Sequence, residues 1–384
     1  MTGLVVLTSD REAAVECALE TGAEVSVITA PRYRHLYEHR CPVLEVPALS
    51  QVDAVSDAVR ALAAKGRADV LLAATEKSIP VAGFVRSIID IPGLGASDAI
   101  AFTSKSAMKQ RWKDAGISTA EFRSCATVVE IARAAEEIGY PVVIKPTFGA
   151  GGYGTRCVSS RTELDDPHSR AWLTELTAKV GATVERYIPV TTEFHCDSVI
   201  REGRVVFSAV SQYFDPLLAI EGRATVGSFV LPIGDERERR VRELNDRAVI
   251  ALGLRNGVTH CECFDTPQGL VAGEAACRPG GGGVKDTLFG ARGVDIWREF
   301  LHAEMRTGPR PRARPAADLY GWMFFSAPQH LLAEVRALSS VIAIRPDAPG
   351  SATAVIVMRT ADEDSMRSVH ATIAGVHERW SNDG

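Results

Sequence analysis

The sequence predicts a mixed α/β and α+β protein: a doubly wound parallel sheet first, α+β segments next, and a small α/β unit at the C-terminal end. Three observations carry this. Residues 1–100 alternate short β-branched runs with helical patterns, the rhythm of βαβ units. Residues 120–186 read as a compact α+β segment, and from 193 to 276 the runs pair off as antiparallel strands broken by one helix, with turns at Glu202-Gly203 and at Thr266-Pro267-Gln268-Gly269. After a stretch where Arg310, Arg312 and Arg314 interleave with prolines, an extended linker by composition, strand and helix signals resume. The 384 residues, 46% hydrophobic, suffice for roughly two to four compact units.

In chain order, the first strand is expected at 4–7. A helix over 11–20 follows, with Asp10 as its N-cap and Gly22 near its end. Further strands are expected at 25–28, 43–46 and 70–73. The first turn reads Thr8-Ser9-Asp10 and lacks GxGxxG, which argues against a dinucleotide site. Glu76 follows the fourth strand, at the carboxyl edge where such sheets bind ligands. A surface charge opening a helix has the same appearance. Residues 103–116 read as a helix closed by Gly116, with Lys105 in its first turn. A cation there opposes the helix dipole unless an anion lies nearby.

A strand near 120–124 and a helix at 127–138 lead into YPVVIKPTFGAGGYGTRCV, residues 140–158. This stretch reads strand, loop, strand. Gly149, Gly151, Gly152 and Gly154 let main-chain N–H groups turn towards one point, a geometry suited to phosphate oxygens. Lys145, at the strand end, puts a cation beside them. Lysine is scarce, 8 of 43 basic residues, so this one stands out. A flexible hairpin tip has a similar composition.

Next come a helix at 169–179 and a strand at 184–189 ended by Pro189. Strands at 194–201 and 204–212, a helix at 236–252, and strands at 258–265 and 269–277 follow. Glu262 and Glu274 sit on the last two, which pair. Two such carboxylates either face solvent or converge on one hard cation. Mg²⁺ suits the second case, since few carboxylates plus phosphate oxygens hold it. Arg278, at the mouth of Gly280–Gly283, can meet an anion that approaches the backbone closely. Residues 318–384 suggest strands near 320–325, 331–335, 341–345 and 353–358, then a helix at 361–379.

Composition excludes several classes. A net charge of −5 gives no support for nucleic-acid binding. No apolar run approaches the ~18 residues of a membrane span. MTGLVVLTSDREAA fits a first buried strand better than a signal peptide. Eight scattered cysteines form neither a CxxC pair nor a Cys/His quartet, so reduced thiols and a cytoplasmic location are expected.

Taken in order, these pieces resemble the ATP-grasp enzymes, from about residue 70 to 290. Lys105-Ser106-Ala107-Met108-Lys109 with Ala115-Gly116-Ile117 resembles the first-lysine helix. Ile144-Lys145 and the loop to Gly154 resemble the second lysine and its glycine-rich lid. Glu185-Arg186-Tyr187-Ile188 resembles the hinge that reads adenine through its backbone. Glu193 falls where the family often has a ribose-binding carboxylate. Residues 257–262 and 274–278 resemble the two metal-carboxylate strands, except that Ala276 stands where the family commonly has Asn.

The resemblance implies a pre-ATP-grasp domain over 1–102, a lid-side subdomain over 103–188, a core subdomain over 189–309 and the small unit over 310–384. It implies that Lys105, Lys145, Gly149, Gly151, Gly152, Gly154, Glu185, Arg186, Ile188 and Glu193 bind ATP. Glu262 and Glu274 would hold Mg²⁺, with Mn²⁺ able to replace it, and Arg278 would be catalytic. The THCE strand, the EAACRPGGG segment and the C-terminal unit look most similar to L-amino acid (dipeptide) ligases and carnosine synthase-like enzymes. That implies a carboxylate and an amine joined through an acyl phosphate, in specialised metabolism. Glu76, Glu221 and Gly281 are the substrate-site candidates. A homodimer is expected from similar ligases. Two other readings stay open: a bicarbonate-activating carboxylase-type enzyme, and a catalytically silent nucleotide-binding regulatory module.

Overall fold

The structure, a computed structural model, describes residues 1–383 apart from 150, 151, 153, 221–225, 327, 328, 348–350 and 352. Gly151 and Glu221 therefore lie outside the described residues.

Four parallel strands come first: β1 (Gly3–Leu7), β2 (Glu24–Thr29), β3 (Val43–Glu45) and β4 (Val70–Ala73), in spatial order β3-β2-β1-β4. Every residue of β1 is buried, because helices cover both faces of the sheet. Val5 and Leu7 pack with Val55 and Val59 of the Val52–Ala63 helix. Leu4 and Val6 pack with Ala14 and Val15 of the Glu12–Glu20 helix. This is the doubly wound arrangement that the alternating pattern predicts. Asp10 is not the N-cap of the first helix. Arg11 holds that place without a side-chain cap, and its N–H donates to Thr8 Oγ1 at 3.3 Å. Asp10 instead accepts from the Ser9 hydroxyl at 2.7 Å. The Thr8 hydroxyl captures the turn first, so the helix starts later.

A small antiparallel sheet follows: β5 (Phe122–Cys125), β6 (Val142–Pro146), β7 (Arg156–Val158) and β8 (Ala182–Arg186), ordered β5-β8-β6-β7. It has its own core, with Ile144 and Val184 against Ile131, Ile138 and Leu173 of its helices. The glycine-rich loop joins β6 to β7.

The third sheet is antiparallel and has eight strands. These are β9 (Thr192–Arg201), β10 (Arg204–Tyr213), β11 (Gly227–Val230), β12 (Gly257–Thr266), β13 (Gly269–Ala276), β14 (Leu319–Ser326), β15 (Val341–Pro346) and β16 (Thr353–Thr360). Their order is β13-β12-β9-β10-β11-β14-β16-β15, so β14–β16 extend the sheet that carries Glu262 and Glu274. The β9–β10 turn has Glu202 and Gly203 at φ of 55° and 75°, the two positive angles of a type I′ hairpin. Residues 331–335 are not a strand. They belong to the Gln329–Arg336 helix. Leu331, Leu332 and Val335 have helical spacing, and all three pack on the core.

Two contacts fasten the layers. Trp112, in the Lys105–Asp114 helix, is fully buried, and its Nε1–H donates to Ala248 O at 2.9 Å in the Glu236–Ala251 helix. Arg86, in the Ile79–Ile89 helix, pairs with Glu304 of the Ile296–Glu304 helix at 3.1 Å. Their side chains are 4% and 7% exposed, so removing one leaves a buried charge without its partner. Glu304→Ala is expected to cost about 3–5 kcal/mol. Thermal unfolding should show a clear drop for Glu304→Ala and partial recovery for Arg86→Met/Glu304→Leu. An unchanged midpoint in Glu304→Ala would rule out this tie.

Candidate active site

Strand register assembles the carboxylates. Glu262 on β12 lies directly opposite Glu274 on β13, with a bulge immediately after Glu262. Strand alternation sends Cys261 and Cys263 into the apolar core and Glu262 to the other face. Burial, then the neighbouring Glu274 charge, raises the Glu262 carboxyl above its ordinary value.

The lysines meet this face from the small sheet and its adjoining helix. Ser104 caps the Lys105–Asp114 helix, and Lys105 N–H donates to Thr147 O at 3.0 Å, just past β6. Lys105 Nζ donates to Gly149 O at 2.7 Å and pairs with Glu274 Oε1 at 3.1 Å. The anion that its place at a helix N-terminus calls for is therefore Glu274. Lys145 Nζ, on β6, pairs with Glu185 Oε2 at 3.1 Å. Lys109, one turn beyond Lys105 and 2% exposed, approaches the same oxygen at 3.4 Å. It also donates to Thr119 Oγ1 and Gly273 O. Burial works against the Glu185 charge, but Lys109 and Lys145 outweigh it and hold its carboxyl below the ordinary range. Glu185 Oε1 is buried and has no hydrogen-bond partner among the described residues.

At the end of β8, Arg186 N–H donates to Glu121 O at 2.9 Å and Tyr187 N–H to Pro141 O at 3.2 Å. The Arg186 guanidinium pairs with Glu121 at the surface. No described hydrogen bond takes the Ile188 N–H. Glu193, on β9, is buried, and its Oε2 accepts from Leu217 N–H at 2.7 Å. Burial and the Glu262 charge push its pKa up to about 8.

Arg278 leaves the end of β13 and donates from Nε to Glu76 Oε2 at 2.8 Å and from Nη1 to Pro279 O at 3.0 Å. These two charged residues are 202 positions apart. Gly149, Gly152 and Gly154 of the glycine-rich loop have φ of 143°, 70° and 74°, angles that other residues rarely adopt. In the loop after Arg278, a Cβ at Gly280 would come within 2.7 Å of His260 Nδ1. A Cβ at Gly282 or Gly283 would run into Trp322, whereas one at Gly281 meets nothing within 4 Å.

The motif reading missed several members of this face. Besides Lys109, they are His195, Asp197, Tyr213 and His260. Glu193, His195 and Asp197 alternate along β9, as do His260 and Glu262 along β12, and register sets His195 opposite Glu262 and Asp197 opposite His260. That period-two polar run was the available signal. It resembles the solvent face of an ordinary antiparallel sheet.

Residues 104–204 match the family described as the carbamoyl-phosphate synthase L chain, ATP binding domain. The L-arginine-specific L-amino acid ligase of Bacillus subtilis is 31% identical over 308 residues, 79% of this chain and 74% of that relative. This chain belongs to the ATP-grasp ligases. Among solved structures, the L-amino acid ligase from Bacillus licheniformis superposes with a TM-score of 0.75 at 16% identity, covering 97% of this chain and 96% of the other. Carboxyaminoimidazole ribonucleotide synthase from Aspergillus clavatus, complexed with ATP, gives 0.79 at 16% identity, covering 99% of each chain. Both likenesses concern the fold. The ligase is an ATP-dependent enzyme, and none of its described helices is long and apolar enough to cross a membrane.

Glu193 gives this ligase a pH signature. Its folded pKa of about 8 lies above the ordinary 4.5, so the folded state holds a proton that the unfolded chain releases. The resulting stability is fully present below pH 4.5 and is lost as pH rises through about 8. In nucleotide-free protein, the melting-temperature difference between wild type and Glu193→Gln should shift against wild type from about pH 5 to 8. A pH-independent difference would contradict this.

Proposed function

We propose that this ligase activates a carboxylate as an acyl phosphate and joins it to an amine, releasing ADP and phosphate, with amino acids or related compounds as substrates. The observation that carries the reading is the opposed pair Glu262 and Glu274, with Lys105 bridging Glu274 to the lid loop and Arg278 following on the same strand end. Similarity to the L-arginine-specific L-amino acid ligase supports the substrate class.

In this reading ATP lies between the small sheet and the β9–β13 face. The unpartnered Glu185 Oε1 fits a donor such as the adenine amino group, and the Ile188 N–H fits a ring nitrogen. Main-chain recognition at Arg186 falls to its carbonyl, since its N–H is taken. Glu193 faces the ribose. Lys105, Lys145 and the Gly149–Gly154 loop neutralise and cover the phosphates. Glu262 and Glu274 fit Mg²⁺ or Mn²⁺, as hard oxygen donors whose mutual repulsion a divalent ion relieves. The Ala276 side chain offers no ligand, so phosphate oxygens and water would have to complete the shell. When bound, the ion offsets phosphate charge.

The substrate carboxylate attacks the γ-phosphorus in line, and the bond to the β-bridging oxygen breaks as ADP leaves. The amine then adds to the acyl carbon. Arg278 stabilises the tetrahedral oxyanion, which collapses with loss of phosphate. Glu76, which pairs with Arg278 here, is suited to a substrate ammonium, as is Glu221. Open space at Gly281 leaves room for a substrate side chain. The closed lid keeps water from the acyl phosphate.

The deciding experiment is a matrix of carboxylates and amines with ATP and Mg²⁺, read by phosphate release and product mass. Amide products are expected. ADP release that needs bicarbonate and no amino acid would select a carboxylase instead, an activity compatible with the fold shared with carboxyaminoimidazole ribonucleotide synthase. ATP binding without turnover under every condition would select a regulatory module. Arg278→Ala should lower kcat by about 10²–10³-fold while ATP affinity changes little. Near-normal turnover would remove Arg278 from the chemistry. Glu262→Gln should abolish turnover and weaken Mg²⁺-dependent nucleotide binding, leaving any metal-free ATP binding nearly intact.

A further inference from the structure

The sheet face that carries Glu262 holds a second polar group that the steps above do not use. Asp197 is 0% exposed. Its Oδ2 lies 2.7 Å from His195 Nδ1 and its Oδ1 lies 2.9 Å from His260 Nδ1. These are hydrogen-bond distances. The three side chains form one hydrogen-bonded unit. Burial alone would raise the Asp197 carboxyl, but the two imidazoles outweigh it and hold it well below its ordinary range.

From Asp197 the unit runs in two directions. On one side the His260 ring lies under Gly280, so close that a Cβ there would sit 2.7 Å from Nδ1 and 3.1 Å from Cε1. On the other side His195 Nε2 bonds Ser228 Oγ at 2.8 Å. Ser228, on β11, is the register partner of Trp322 on β14. The Trp322 side chain packs directly on Gly282 and Gly283. The loop after Arg278 is thus supported from both ends by one continuous belt, with only Gly281 free between them.

We propose that Trp322, Ser228, His195, Asp197 and His260 form a positioning belt that sets the Arg278–Gly283 loop, and with it the Arg278 guanidinium, against the reacting carboxylate. The assignment of Arg278 rests on the ligase reading above. The belt residues are positioning residues, since none needs to touch substrate. A shift of about 1 Å in such a loop costs up to roughly 10²-fold in rate.

The test uses the full chain and a double-mutant cycle between His260 and Gly280. His260→Ala and Gly280→Ala should each lower kcat for ligation by about 10–100-fold, with KM for ATP within about twofold of wild type. In His260→Ala/Gly280→Ala the added Cβ enters the space the imidazole left, so the combined loss should be smaller than the product of the single losses. His260→Asn, whose amide nitrogen can keep the bond to Asp197, should retain more rate than His260→Ala. Losses that multiply, or a KM for ATP that rises in step with the fall in kcat, would overturn the belt. If wild type forms no amide with any pair, the ligase reading fails and the same cycle is read from melting temperatures. The belt then stands if Gly280→Ala costs less stability in the His260→Ala background, and falls if the cost is unchanged.

Discussion

Carboxylates brought together from all three sheets must find cations, and much of this ligase follows from how they do so. Two like charges 4 Å apart repel by about 4 kcal/mol at an effective dielectric near 20, so such a group cannot stay ionised unaided. Glu185 is held between Lys109 and Lys145, Glu274 meets Lys105, and Glu76 meets Arg278. Asp197 has two imidazoles. Among the described residues Glu262 and Glu193 form no ion pair with a cation, and burial together with a neighbouring carboxylate raises both above their ordinary values. The charge the protein does not supply is thus missing where a divalent ion and a nucleotide are proposed.

The architecture serves this balance. Trp112 fastens the helix that carries Lys105 and Lys109 to the core, so the two cations are held over the sheet by packing as well as by charge. The antiparallel register of β9, β12 and β13 puts Glu262 between Glu274 and His195, so a one-residue slip would turn the whole polar row into the apolar core. The C-terminal strands continue the same sheet, and Trp322 uses that continuity to reach the loop after Arg278.

Local rules made much of the fold legible. β-branched runs, the Glu202-Gly203 turn and the helix at 128–138 follow from spacing and turn chemistry within a few residues. The same rules failed where two local options compete. Thr8 took the turn expected of Asp10, and the apolar residues at 331, 332 and 335 fit a helix better than a strand. Lys105, Lys145, Glu262, Glu274 and Arg278 stood out because their motifs are contiguous. His195, Asp197 and His260 did not, because an alternating polar run has the same pattern whether its face meets water or the interior.

The sequence by itself determined which residues could bear charge, which strands alternate, and where glycine lets the backbone turn, since these properties act over a few bonds. Only the tertiary structure decided which charges meet. Glu76 finds Arg278 across 202 positions, one Glu185 oxygen is enclosed with two lysines while the other has no partner among the described residues, and His260 comes to lie beneath Gly280. Charge pairing and burial depend on distance in space and on the water excluded along the way, and the packing of sheets and helices sets both.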